Sequence, residues 1–151
     1  MAKTSRNDLE FTIVYSMRLE GMTSTIFRRL DKFSSWFQII LGVAVVTNYA
    51  PTLTGIAIAC IGAYQFVAQP GIEGVKAAAS EERWRGLYRG KDLMDDLALQ
   101  KEITATETQD TKLLGGLRLV AHYAAARQMD LSTDELPPLS MWQKTIEVLA
   151  T

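Results

Sequence analysis

The sequence predicts an all-α fold: a membrane helical hairpin of two spans, with an amphipathic N-terminal helix before it and cytoplasmic helices after it. Three observations carry that prediction. Residues 33–72 form a run of 40 without Asp, Glu, Lys or Arg, in a chain that has 16 basic and 17 acidic residues. A polar break at 47–52 divides the run into apolar stretches at 33–46 and 53–68. Basic residues gather on both flanks, and none lies in the break.

Residues 7–104 read as the two-transmembrane domain, with spans at about 33–48 and 52–69, and 105–151 as a cytoplasmic helical extension. Each span reaches about 24–27 Å at a helical rise of about 1.5 Å per residue, the short end for a bilayer core. The competing reading is a soluble protein with an unusually apolar core hairpin, since runs this short also occur inside soluble folds.

The chain opens with a polar end. Asn7 followed by Glu10 has the spacing of a capping box. Leu9, Ile13, Met17, Met22, Ile26 and Leu30 then recur at helical spacing, with Gly21 expected to interrupt or bend the helix. The stripe either lies on the membrane surface or packs on the helix leaving the second span. The hairpin brings both to one side, which favours packing.

Trp36 near the start of the first span and Tyr49 at the turn suit water–lipid boundaries. Pro51 suits the first turn of the second helix, and Asn48 suits a cap or a left-handed turn position. Arg28, Arg29 and Lys32 precede the first span. Lys76, Arg83, Arg85, Arg89 and Lys91 follow the second. The positive-inside rule therefore places both termini in the cytoplasm of a multi-pass inner-membrane protein.

Gly55, Ala59 and Ala63, widened by Gly62, form a small-residue face that lets another helix approach closely. Its candidate partners are the other arm of the hairpin and a second copy of the chain. Gln38, Gln65 and Gln69 are the amides in or near the lipid zone. They suit interhelical hydrogen bonds, and Gln38 and Gln65 alternatively suit a pore wall in an oligomer. The single cysteine, Cys60, reads as a small packing residue.

Pro70-Gly71 marks the exit from the second span. Residues 73–103 are expected as one helix of about 45 Å, with Gly86 and Gly90 weakening it. The Thr-rich stretch 104–111 reads as a turn. Residues 112–128 return to helix, with Leu113, Leu117, Val120 and Ala124 on one stripe. Residues 130–139 read as a linker, and Ser140 and Gln143 as a capping box opening a short helix. Trp142, Ile146 and Leu149 share a face of that helix, which either docks on the other helices or binds a partner.

Nothing points to catalysis. No phosphate loop, CxxC, HExxH or GxSxG is present. His122, the only histidine, has no ligand at metal spacing. Asp92, Asp95 and Asp96 sit beside Arg89 and Lys91 and read as a solvated face, with Asp92 and Asp96 one helical turn apart. The chain is therefore expected to be a non-enzyme without cofactors or metals. A net charge of −1 offers no general nucleic-acid signal.

The stretch SEERWRGLYRGKDLMDDL supplies an aromatic, an Arg and a Leu (Trp84, Tyr88-Arg89, Asp92-Leu93 and Leu97) on the helix after the second span. With the order of elements over residues 9–103, it resembles the SLATT-type two-transmembrane domains of bacterial conflict systems. The resemblance implies an oligomeric membrane effector in antiviral defence that compromises the inner membrane when triggered, with a pore as one form. Two alternatives stand beside it. One is a non-pore anchor or regulator that binds a cytoplasmic protein through Trp84, Tyr88, Arg89 and Trp142. The other is a phage-type lysis or exclusion protein.

Overall fold

The computed structural model describes residues 5–111, 115–133 and 136–150, and these form helices and turns without a strand. The helices are α1 (Arg6–Val46), α2 (Pro51–Ala68), α3 (Pro70–Gly90), α4 (Asp96–Glu107), α5 (Arg118–Gln128) and α6 (Met141–Ala150). Single 3-10 turns at Lys91–Leu93 and Gly115–Leu117 complete the order.

The axis of the molecule is α1, whose 41 residues extend about 60 Å. The expected amphipathic helix and the first expected span are one uninterrupted rod, and Gly21 does not break it. The cap also differs from expectation. The Ser5 N–H donates to Asp8 Oδ2 at 3.2 Å, two residues ahead of the expected Asn7–Glu10 pair. Glu10 instead pairs with Arg6 at 3.4 Å and accepts from Lys91.

After Val46 the chain reverses tightly. The Asn48 N–H donates to Val45 O and the Tyr49 N–H to Ala44 O, closing a Schellman motif around Asn48 at φ 59°. Pro51 then occupies the first turn of α2, where its missing N–H costs nothing. A single left-handed residue, Gln69 at φ 45°, separates α2 from α3. Pro70 clashes with a helical conformation in the residue before it, so the chain must kink there. The kink breaks little, because Gln69 N still bonds Gln65 O and Gln69 O accepts from Glu73 N, both at 3.0 Å.

α3 runs back along the lower part of α1, making the largest interface in the molecule. Gly74 permits the close approach: a Cβ there would lie 3.2 Å from Arg28 Cγ and 3.3 Å from Phe27 Cβ. The stripe of α1 thus packs on the helix leaving the second apolar run.

The expected 73–103 helix is not one rod. α3 ends at Gly90, Met94 is extended, and Asp95 caps α4 by accepting from Ala98 N at 2.7 Å. Asp92 and Asp96 therefore do not share a helix. The reversal lets Leu99 and Ile103 pack on Leu9, Ile13, Trp84 and Leu87 in one core cluster. Arg6 secures the corner, donating to Lys91 O at 2.6 Å and Met94 O at 3.1 Å and pairing with Asp96 at 3.2 Å. The expected turn at 104–111 is also displaced, since α4 continues through Glu107.

A second cluster joins Leu19 and Met22 of α1 to Leu117, Val120, Ala121 and Ala150. Residues beyond 105 thus share a core with α1, and position 104 falls inside α4. Leu117 and Val120 are buried and Ala124 packs against them, while Leu113 lies outside the described residues. The capping box of α6 forms: Ser140 N–H donates to Gln143 Oε1 at 2.9 Å and Gln143 N–H to Ser140 Oγ at 3.3 Å.

Candidate membrane interface

The upper part of α1 and all of α2 form a two-helix hairpin that rises from the bundle. Its seam is narrow. Ser34, Gln38, Leu41, Gly42 and Ala44 on α1, and Ala57, Ile58, Ile61, Gly62, Gln65 and Ala68 on α2, are half-buried, and Thr54 is buried. The remainder faces outward. Phe37, Ile39, Ile40 and Val43 on α1 are exposed, as are Leu53 and Ile56 on α2, while Val46, Phe66 and Val67 reach 86%, 80% and 81%. Isolated exposed apolar residues are ordinary, but a continuous apolar surface marks contact with a membrane or another protein.

One helical stretch, Pro51–Leu93, is long and apolar enough to cross a membrane, and only 6% of its apolar window is buried. A core helix of a soluble fold would have most of that window covered. Trp36 and Tyr49, at opposite ends of the hairpin, are both exposed, at 67% and 76%.

The small residues of α2 divide between two faces. Gly62 turns toward α1, where a Cβ would meet Gln38 Nε2 at 3.8 Å. Gly55, Ala59 and Ala63 point outward, and nothing lies within 4 Å of a Cβ placed at Gly55. This second face is therefore not the one that packs the two arms together. Gln38 and Gln65 belong to the seam side of the hairpin, and Cys60 is exposed.

The residues expected to meet a cytoplasmic partner have diverse settings. Trp84 is fully buried in the core, and its Nε1 donates to Asp110 Oδ1 at 2.8 Å. It is out of a partner's reach while the bundle is folded. Tyr88 is half-buried beneath the Lys91 ammonium, 4.6 Å from the ring centroid. Arg89 is exposed and pairs with Glu82 at 2.7 Å. Trp142 is 68% exposed.

The bundle also holds a buried polar cluster that sequence reasoning missed. Glu20 is fully buried and accepts from Thr111 N at 3.0 Å and Thr111 Oγ1 at 2.6 Å. Burial pushes its carboxyl above the ordinary range, while the bonds from Thr111 pull the other way. Ser80 donates to Asp110 at 3.0 Å, so Asp110 joins α3 to the end of the α4 segment. The signal for Glu20 was its position, seven residues after Ile13 and so in line with the apolar stripe. Elsewhere, the hydrogen bond from Lys91 to Glu10 raises the Lys91 ammonium, and burial raises the Tyr15 phenol.

His122 packs against Phe11 and Tyr15, with ring centroids 4.9 Å and 6.0 Å away, and its buried Nδ1 has no hydrogen-bond partner. Among the described residues, no group of three His, Cys, Asp or Glu is placed to hold a metal. No protein-family model, no curated protein and no solved structure matches the chain.

Proposed function

We propose that the chain is a non-enzymatic membrane protein whose hairpin crosses a bacterial inner membrane twice, with the bundle on the cytoplasmic side. The observation that carries this reading is the continuous uncovered apolar surface on both arms of the hairpin, which holds no packed cluster of its own and rises from a bundle that holds two. In water that surface would be costly, at about 25 cal/mol per Å² of apolar area. In lipid it is solvated. α2 extends about 27 Å, close to the bilayer core, and the basic residues on both flanks favour the cytoplasmic side.

The test is flotation of the expressed chain with phosphatidylcholine vesicles, followed by protease treatment from each side. Co-flotation with cleavage from the bundle side alone supports the reading. A chain that stays soluble without lipid or detergent overturns it.

A second reading is favoured by the outward face of Gly55, Ala59 and Ala63, which has no partner within the chain. Copies associate through that face, and the assembled form perturbs the membrane as the SLATT resemblance implies. Gln38 and Gln65 lie toward the seam, which argues for action by assembly and not through a pore lined by those amides. Gly55→Leu and Ala59→Leu should each reduce the oligomer in mild detergent and relieve any growth arrest on expression. Assembly that survives both substitutions excludes this face. A monomer in the parent chain leaves the anchor or regulator as the function.

A further inference from the structure

Two cavities meet where α1 leaves the bundle, and their linings differ from the rest of the water-side surface. The first, about 440 Å³, opens between α1 and α6. Ile26, Leu30 and Phe33 form one wall, and Trp142, Ile146 and Leu149 form the other. That volume lies within the range of roughly 300–1,000 Å³ usual for small-molecule sites. The second cavity, also about 440 Å³, shares Arg29 and Phe33 with the first. It continues up α1 past Trp36 and Phe37 to Ile40. Together they make one apolar track from the bundle into the hairpin.

The charged residues on this track are both basic. Arg29 lines both cavities, Lys32 lines the second, and no carboxylate lines either. Arg29 uses one of its several N–H donors on Leu149 O at the end of α6. That carbonyl is neutral, and among the described residues no carboxylate pairs with Arg29 or Lys32. Lys32 is exposed. An apolar track with two cations where its halves join, at the foot of the hairpin, fits an amphiphile with an anionic head.

We propose that the track between α1 and α6 seats one anionic phospholipid from the leaflet beside the bundle. Its phosphate meets Arg29 and Lys32, and its acyl chains follow Phe33, Trp36, Phe37 and Ile40. The outward apolar residues of α6, with Trp142 at 68% exposure, close the lower side of the seat. This inference rests on the membrane reading, and its test separates the two.

The full chain is purified in mild detergent, titrated with phosphatidylglycerol or phosphatidylcholine of identical acyl chains, and read by native mass spectrometry. The expected result is a first adduct of one phosphatidylglycerol, preferred over phosphatidylcholine. Neutralising both cations with Arg29→Gln and Lys32→Gln should lower that preference about tenfold or more, since each basic group favours anionic lipid. Phe37→Ala with Ile40→Ala, which cuts away the surface that the acyl chains follow, should weaken both lipids while circular dichroism shows unchanged helix content. Arg83→Gln, on the water side away from the track, is the control and should change nothing.

Equal binding of both lipids, or a preference that survives loss of both cations, overturns the proposal. So does a second copy of the chain that fills the groove and excludes lipid. Flotation of the same sample with pure phosphatidylcholine vesicles reads the membrane reading separately. A chain that floats but shows no anionic preference refutes the lipid seat alone.

Discussion

The two ends of α1 are built from one continuous helix yet obey opposite rules. Between Leu9 and Ser24 the helix buries a stripe that includes Leu9, Ile13, Val14, Leu19 and Met22, and α3, α5 and α6 surround it. Between residues 33 and 46 it buries nothing, and its large apolar side chains Phe37, Ile39, Ile40 and Val43 stay exposed although α2 runs beside it. Backbone hydrogen bonding is the same in both halves. The difference is where the apolar atoms go, inward below and outward above.

The largest test of this contrast exchanges the same residue type between the halves. Trp84→Ala removes a fully buried ring and its bond to Asp110, and should cost about 3–5 kcal/mol in denaturant unfolding in mild detergent. Trp36→Ala, on the exposed hairpin, should cost far less in the same assay. Equal losses would mean that the hairpin is packed as tightly as the bundle.

A charge provides the next largest effect. Ile39→Asp places a carboxylate on the outward face of the hairpin, where Ile39 is 64% exposed. In a bilayer an Asp at the centre of a span costs about 2.5–3.5 kcal/mol, so membrane insertion should fall sharply. Leu97→Asp on α4, where Leu97 is 78% exposed to water, should change stability by no more than about 0.5 kcal/mol. If both substitutions are equally silent in flotation and unfolding, the hairpin does not stand in lipid.

The smallest effect concerns a polar group within the packed half. The Glu20 carboxyl is raised above its ordinary value of 4.5, chiefly by burial. The folded chain thus retains a proton that the unfolded chain has released. Stability from this group falls as pH rises from 4.5 through the raised folded value, then levels off. Glu20→Gln keeps a group that can bond Thr111 but cannot ionise. Its stability should be flat across that window and no lower than the parent's at neutral pH. Glu20→Ala, which leaves Thr111 N–H without its partner, should be destabilised throughout, by about 1–3 kcal/mol. A parent chain with no pH dependence there would show that Glu20 is not held in a dry site.

The sequence by itself determined the features governed by neighbours in the chain. The uncharged run, the reversal around Asn48 and Pro51, the break at Pro70 and the Ser140–Gln143 cap all follow from backbone and side-chain chemistry within a few residues. The periodic stripe of Leu9, Ile13 and Met22 was legible for the same reason. Tertiary structure decided the rest. The helix expected over 73–103 folds back at Met94 because Leu99 and Ile103 find Trp84 and Leu87 only after a reversal. Gly55, Ala59, Gly62 and Ala63 look like one face in the sequence. Only the docking of α1 separates Gly62 from the other three, since the angle between positions three and four apart is resolved by the partner's location. Trp84 reads as an exposed anchor beside charged neighbours, and becomes a core residue because α4 covers it. Glu20 stands in line with the apolar stripe, but its partner is fixed only when Thr111, far along the chain, arrives to bond it. Local geometry is set by covalent neighbours, whereas burial is set by residues that meet only after folding.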